Sequence, residues 1–166
     1  MDALHVELNE NPLQDAVRDN EVNDLRKLLD SHPVNETDQY ELTALHWACD
    51  YSHEECVQVL LAAGADVNAI ENTHFKRQPI HFAALRGSVS IMKLLHANGA
   101  DINAKDGIGR TPLHCAAHAG AVDAITWLLD NDADLFATTK DKHTAPDLAK
   151  LNCQNNVVEL LDNISV

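Results

Sequence analysis

Basic residues are scarce: 12 Lys and Arg stand against 26 Asp and Glu in 166 residues, a net charge of −14. A nucleic-acid or anionic-membrane surface needs a large positive field, so neither is an expected partner. No run of about 18 apolar residues is present, and no membrane-spanning helix is expected. The opening MDALHVELNE has no basic stretch leading into an apolar one, so no signal peptide is expected. The four cysteines (49, 56, 115 and 153) form neither a C-x-x-C pair nor a dense framework. They read as reduced, packed thiols, which points to the cytoplasm and also suits the nucleus. Apolar residues at 45% and charged residues at 23% suit one globular domain over residues 1–166.

What the chain does have is repetition. Thr43-Ala44-Leu45-His46-Trp47-Ala48 returns as Gln78-Pro79-Ile80-His81-Phe82-Ala83, then as Thr111-Pro112-Leu113-His114-Cys115-Ala116 and Thr144-Ala145-Pro146-Asp147-Leu148-Ala149. Asn11-Pro12-Leu13-Gln14-Asp15-Ala16 begins the series. A second series keeps step: Gly64-Ala65-Asp66-Val67-Asn68, Gly99-Ala100-Asp101-Ile102-Asn103 and Asp132-Ala133-Asp134-Leu135-Phe136. The spacings are 32, 35, 33 and 33 residues. The chain thus resembles the ankyrin repeat, with its period of about 33 and its T-P-L-H-x-A signature. The resemblance implies an all-α solenoid of stacked helix-turn-helix units with projecting β-hairpin-like fingers. Its units fall at about 11–38, 39–71, 72–105, 106–138 and 139–162, the first and last as caps, after an extension over 1–10.

The residues fit that reading physically. Thr111 suits a helix N-cap, and Pro79 and Pro112 suit the first helical position, where a missing N–H costs nothing. Gly87 and Gly120 fall where a first helix must stop, and Gly64 and Gly99 where a second one ends. The second helices carry an apolar stripe, such as Ile91, Met92, Leu94 and Leu95. No unit can bury its own apolar face, so neighbours must stack. The last unit departs from the pattern at Pro146, Asp147 and Cys153, as a water-facing cap does.

Chemistry is weakly signalled. His46, His81 and His114 are the signature histidines, which in the family bond backbone of an adjacent turn. They recur along the stack and do not converge, and no HExxH or C-x-x-C motif accompanies them, so no metal is expected. No serine elbow or phosphate cradle is present, and Gly107-Ile108-Gly109-Arg110 is too short for one. No catalytic residue and no cofactor are expected. Asn68 and Asn103 hold the base of a finger; in the family such asparagines are also hydroxylation substrates. The sequons at Asn35 and Asn163 are discounted without a secretory signal, and Ile164-Ser165-Val166 has the form of a short carboxyl-terminal ligand.

Charge by segment is sharper than the total. Residues 1–40 carry −7, 41–70 carry −5, 71–110 carry +3 and 111–166 carry −5. The resemblance implies that partners meet finger tips and the open side of each first helix. On that surface lie Tyr40, Leu42, Asp50, Tyr51, Phe75, Arg77, Leu85, Arg86, Ile108, Arg110 and His118. The 35-residue spacing adds two residues to the finger that carries Phe75-Lys76-Arg77, and aromatics and arginines are the usual interface anchors. The expected function is a monomeric, non-catalytic protein-interaction module: an adaptor, an inhibitor or an assembly chaperone. Its partner would present an acidic-apolar motif to Arg77, Arg86 and Arg110. A second expectation is a lipid- or membrane-protein-cargo targeting factor, because Thr43–Ala69 and Asp147–Leu161 resemble the ankyrin portion of plant factors escorting chloroplast envelope proteins.

Overall fold

A computed structural model describes residues 11–164. The 1–10 extension and the last two residues of Ile164-Ser165-Val166 lie outside the described residues. Helices come in pairs: α1 (Pro12–Arg18) with α2 (Val22–Leu28), α3 (Ala44–Asp50) with α4 (Glu54–Ala62), and α5 (Pro79–Leu85) with α6 (Val89–Ala97). After them come α7 (Pro112–Ala119) with α8 (Val122–Asp130), and α9 (Ala145–Leu151) with α10 (Asn155–Ile164). The odd helices form one row and the even helices a second, each packing on its neighbours in the next pair.

Helices this short are marginal alone, so packing must hold them. The signature leucine position contributes Leu13, Leu45, Ile80 and Leu113, and the second helices contribute Leu25, Leu60, Leu95, Leu128 and Leu161. All nine are fully buried, and each such burial is worth roughly 1.5–3 kcal/mol. Ala48, Ala83, Ala116 and Ala149, also fully buried, let adjacent first helices approach closely.

The turn from first to second helix needs a left-handed residue. Gly120 supplies it at φ 77°, and a Cβ there would also run into the side chain of Gln154. Asn20, Ser52 and Cys153 take the same conformation at φ 56°, 59° and 56°. They do so against the steric cost that glycine escapes.

The hairpin-like fingers are built without regular strands. Among the described residues there is no strand, only an isolated bridge between Thr37 and Thr43. Each finger is a tight turn closed by one backbone bond: Asp38 N to Leu42 O (3.0 Å), Glu71 N to Arg77 O (3.1 Å), Asp106 N to Arg110 O (2.9 Å) and Thr139 N to His143 O (2.9 Å). The second turn is two residues longer than the others, which is where the 35-residue spacing goes.

Candidate partner-binding face

Each finger is held from inside by one buried polar side chain. Asp38 Oδ1 accepts the N–H groups of Tyr40 (2.8 Å) and Leu42 (2.9 Å), and Asp106 Oδ1 those of Ile108 (3.0 Å) and Arg110 (2.8 Å). Thr139 Oγ1 accepts from His143 N at 3.1 Å. In the longer second finger the residue is glutamate, whose extra methylene lets Glu71 Oε1 reach Arg77 N at 3.3 Å. None of these four residues belongs to the repeat signature. Their signal is a side-chain acceptor five residues before Thr43, Thr111 and Thr144 and, in the longer finger, seven before Gln78, the mark of side-chain-stabilised turns.

The signature histidines tie the fingers to the helices. His46 Nδ1 accepts from Thr43 N at 3.1 Å, so Nε2 carries the proton and donates to Ala69 O (3.0 Å) and Arg77 O (3.3 Å). His81 repeats this toward Ala104 O and Arg110 O, and His114 toward His143 O. Burial keeps all three neutral, with His46 pushed down to about 4 and His81 and His114 also lowered. In the pair α9–α10 Asp147 takes the place of the histidine and accepts from Thr144 N at 2.8 Å.

Neighbouring fingers also join. Asn72 N donates to Tyr40 O (2.9 Å), Gly107 N to Phe75 O, and Lys140 N to Ile108 O (3.0 Å). Gly107 is required there, because a Cβ would sit 2.6 Å from His74 O. The backbone beneath Phe75 is thereby fixed.

On this face the expected contact residues divide. Tyr40, Tyr51 and Phe75 are exposed, at 53%, 39% and 37%. Tyr51 stacks between Trp47 and His53, with ring centroids 5.7 Å from each. Arg77 lies with its guanidinium carbon 4.3 Å from the Phe75 centroid and 5.9 Å from that of Phe82. Leu85, Ile108, Arg110 and His118 are half-buried.

Two expectations need correcting. Leu42 is buried, because the Asp38 bond folds it inward and its carbonyl accepts from Gln14 Nε2 at 2.8 Å. Arg86 is exposed but already paired; it makes two hydrogen bonds to Asp50, at 3.0 and 3.1 Å. The basic stripe is therefore Arg77 and Arg110. Trp47 and Phe82 belong to the same face, half-buried in register with Cys115.

Asn68 and Asn103 bridge successive pairs through Nδ2, to Gly99 O (3.4 Å) and Asp132 O (3.1 Å). Asn35 belongs to the same series: its Oδ1 accepts from Asp66 N at 2.8 Å. In the fourth pair the position is Phe136, 75% exposed.

Cys49, Cys56 and Cys115 are buried but Cys153 is exposed, against the expectation of four packed thiols. Burial raises the Cys49 thiol and raises Cys115 to about 12, which suppresses the reactive thiolate. A thiol reagent at neutral pH is therefore expected to titrate one cysteine quickly and three only after denaturation. Fast reaction of a second thiol in the native protein would contradict this packing.

Two family models match the sequence, one described as "Ankyrin repeats (3 copies)" over residues 80–165 and one as "Ankyrin repeats (many copies)" over 45–96. Among curated proteins, the human "Transient receptor potential cation channel subfamily A member 1" is 38% identical over 46% of this chain and 7% of its own length. "Palmitoyltransferase AKR1" of Debaryomyces hansenii is 35% identical over 46% of this chain and 9% of its own. "Inversin" of Danio rerio is 35% identical over 57% and 9%. The chain thus spans less than a tenth of each of these relatives.

Proposed function

The chain belongs to the ankyrin-repeat family, and from that premise we propose that it is a non-catalytic module binding another protein on its finger and first-helix face. The partner presents an acidic-apolar motif to the second and third fingers. The observation that carries this reading is the coincidence at Phe75: an exposed aromatic, stacked by Arg77, on the one positively charged segment of a −14 chain. Rigidity supports it, since the finger–finger bonds and histidine ties order the surface before binding and reduce the entropy lost on association. The module acts as a monomer, an adaptor or inhibitor whose specificity lies in the side chains on this face.

A photo-crosslinking amino acid placed at Tyr40 or Phe75 tests the assignment in the source cell. The same partner band is expected from both positions and not from Lys93, exposed on α6. Crosslinking from Lys93 alone would move the binding face to the second helices.

A further inference from the structure

We propose that the first finger and α3 bind an arginine side chain of the partner, its guanidinium lying between the Tyr40 and Trp47 rings. This rests on the partner reading above and adds a basic group to the partner, one unit before its acidic-apolar motif.

The second finger shows the arrangement within the chain. Arg77 lies with its guanidinium carbon 4.3 Å from the Phe75 centroid and 5.9 Å from that of Phe82. The backbone fixes the register one unit earlier. Glu41 and Lys76 take the same left-handed position, at φ 58° and 49°. Tyr40 O and Phe75 O each accept a backbone N–H from the following finger. Tyr40 therefore corresponds to Phe75, Leu42 to Arg77 and Trp47 to Phe82, each pair 35 residues apart. The two rings are repeated and the guanidinium is not, because Leu42 is apolar and buried. Among the described residues the cation–π contacts come from Arg77, and no cation of the chain lies over Tyr40 or Trp47.

One carboxylate ties the two aromatic residues together. Asp38 Oδ1 accepts from Tyr40 N at 2.8 Å, and its Oδ2 accepts from Trp47 Nε1 at 3.1 Å. An indole that donates to a carboxylate gains electron density, which strengthens its pull on a cation over the ring face. The surface is open: Tyr40 is exposed, Trp47 is half-buried, and the exposed Tyr51 extends it by stacking on Trp47.

The charges select a cation. Residues 1–40 carry −7 and residues 41–70 carry −5. The basic residues of that stretch are already matched: Arg18 by Asp15 and Asp19, Arg26 by Glu55, and Lys27 by Asp24. On the next first helix Arg86 is matched by Asp50, and Arg77 has the Glu71 carboxylate beneath its own finger. Asp38 is held by neutral N–H groups and, among the described residues, by no cation. It is the carboxylate that a guest cation meets. A guanidinium suits the site better than an ammonium, because it is planar and weakly hydrated and stacks on a ring while its edge N–H groups stay free to bond.

The test follows the indole Nε1–H signals of Trp47 and Trp127 by NMR in the full chain. The probes are acetyl-tetraarginine amide, acetyl-tetralysine amide and the uncharged acetyl-tetracitrulline amide. The arginine probe is expected to shift Trp47 saturably and to leave Trp127, on α8, in place. Tetralysine carries the same charge and should need at least about threefold higher concentration, because an ammonium stacks poorly on a ring. The citrulline probe should give no saturable shift. Tyr40→Ala keeps the finger's backbone bonds and should weaken the arginine probe at least about threefold, the scale of one exposed cation–π contact. Ile70→Ala, at a side chain exposed to the same degree, should leave it unchanged. No saturable shift at Trp47, an equal response to lysine, or undiminished binding by the Tyr40 variant would overturn the site. The first two outcomes are read on the wild-type chain and stand even if the variant fails to fold. Crosslinking from Phe75 without an arginine response would sink this site and leave the module standing; an arginine response without any crosslinked partner would do the reverse.

Discussion

Acidification from pH 7 to pH 4 should remove at least about 3 kcal/mol of stability, with the decline beginning near pH 6.5. An unfolded imidazole titrates near 6.5, whereas His46 in the stack titrates at about 4. Between those values the unfolded chain takes up a proton that the folded chain refuses. The contribution of His46 is thus fully present above pH 6.5 and disappears as pH falls toward 4. His81 and His114, also lowered by burial, act in the same direction. Protonation forces a second charge-bearing N–H onto Nδ1, which now accepts from the backbone N–H of Thr43, Gln78 or Thr111. A competing effect runs the other way: approaching the isoelectric point near 4.9 relieves the self-repulsion of a −14 chain. High salt screens that term, so urea titrations at about 0.5 M salt isolate the histidines. A midpoint unchanged from pH 7 to pH 5 under those conditions contradicts the role given to the three buried rings.

The stack was legible because each unit states the same physics again. Thr43, Thr111 and Thr144 stand where a cap must, Pro79 and Pro112 where a lost N–H is harmless, and Gly87 and Gly120 where φ turns positive. The face was legible only in part, because its side chains are arranged by partners remote in sequence. Arg86 and Asp50 are 36 residues apart, and neither announces the other. Leu42 follows an exposed Tyr40 by two positions, yet the Asp38 turn sends it inward. Asn35 looks like a sequon until the carbonyl-bridging role of Asn68 and Asn103 is seen beside it. Cys153 sits at the left-handed position of the turn between α9 and α10, where the side chain is exposed.

Replacing Arg77 and Arg110 together by glutamine should weaken capture of the crosslinked partner by at least roughly 2 kcal/mol, the scale of lost interface anchors. Glutamine is the informative change. Glutamate at these positions would repel Asp106 and Glu71 beneath the same fingers and confuse binding with folding. The helices and histidine ties do not use either guanidinium; His46 and His81 bond the backbone carbonyls of Arg77 and Arg110, which the substitutions keep. Thermal stability should therefore move little, the packing losses being the Arg77 contacts with Phe75 and Phe82 and the half-buried stem of Arg110. A matched control removes two exposed charges elsewhere, Lys105→Gln with Lys142→Gln. Lys140 is unsuitable because its Nζ bonds Gly107 O at 2.5 Å and helps join the third and fourth fingers. Both double variants change net charge equally, so any long-range attraction falls equally in both. Only direct contact makes the arginine pair worse. Equal weakening by the two pairs would mean that the positive segment steers the partner without touching it.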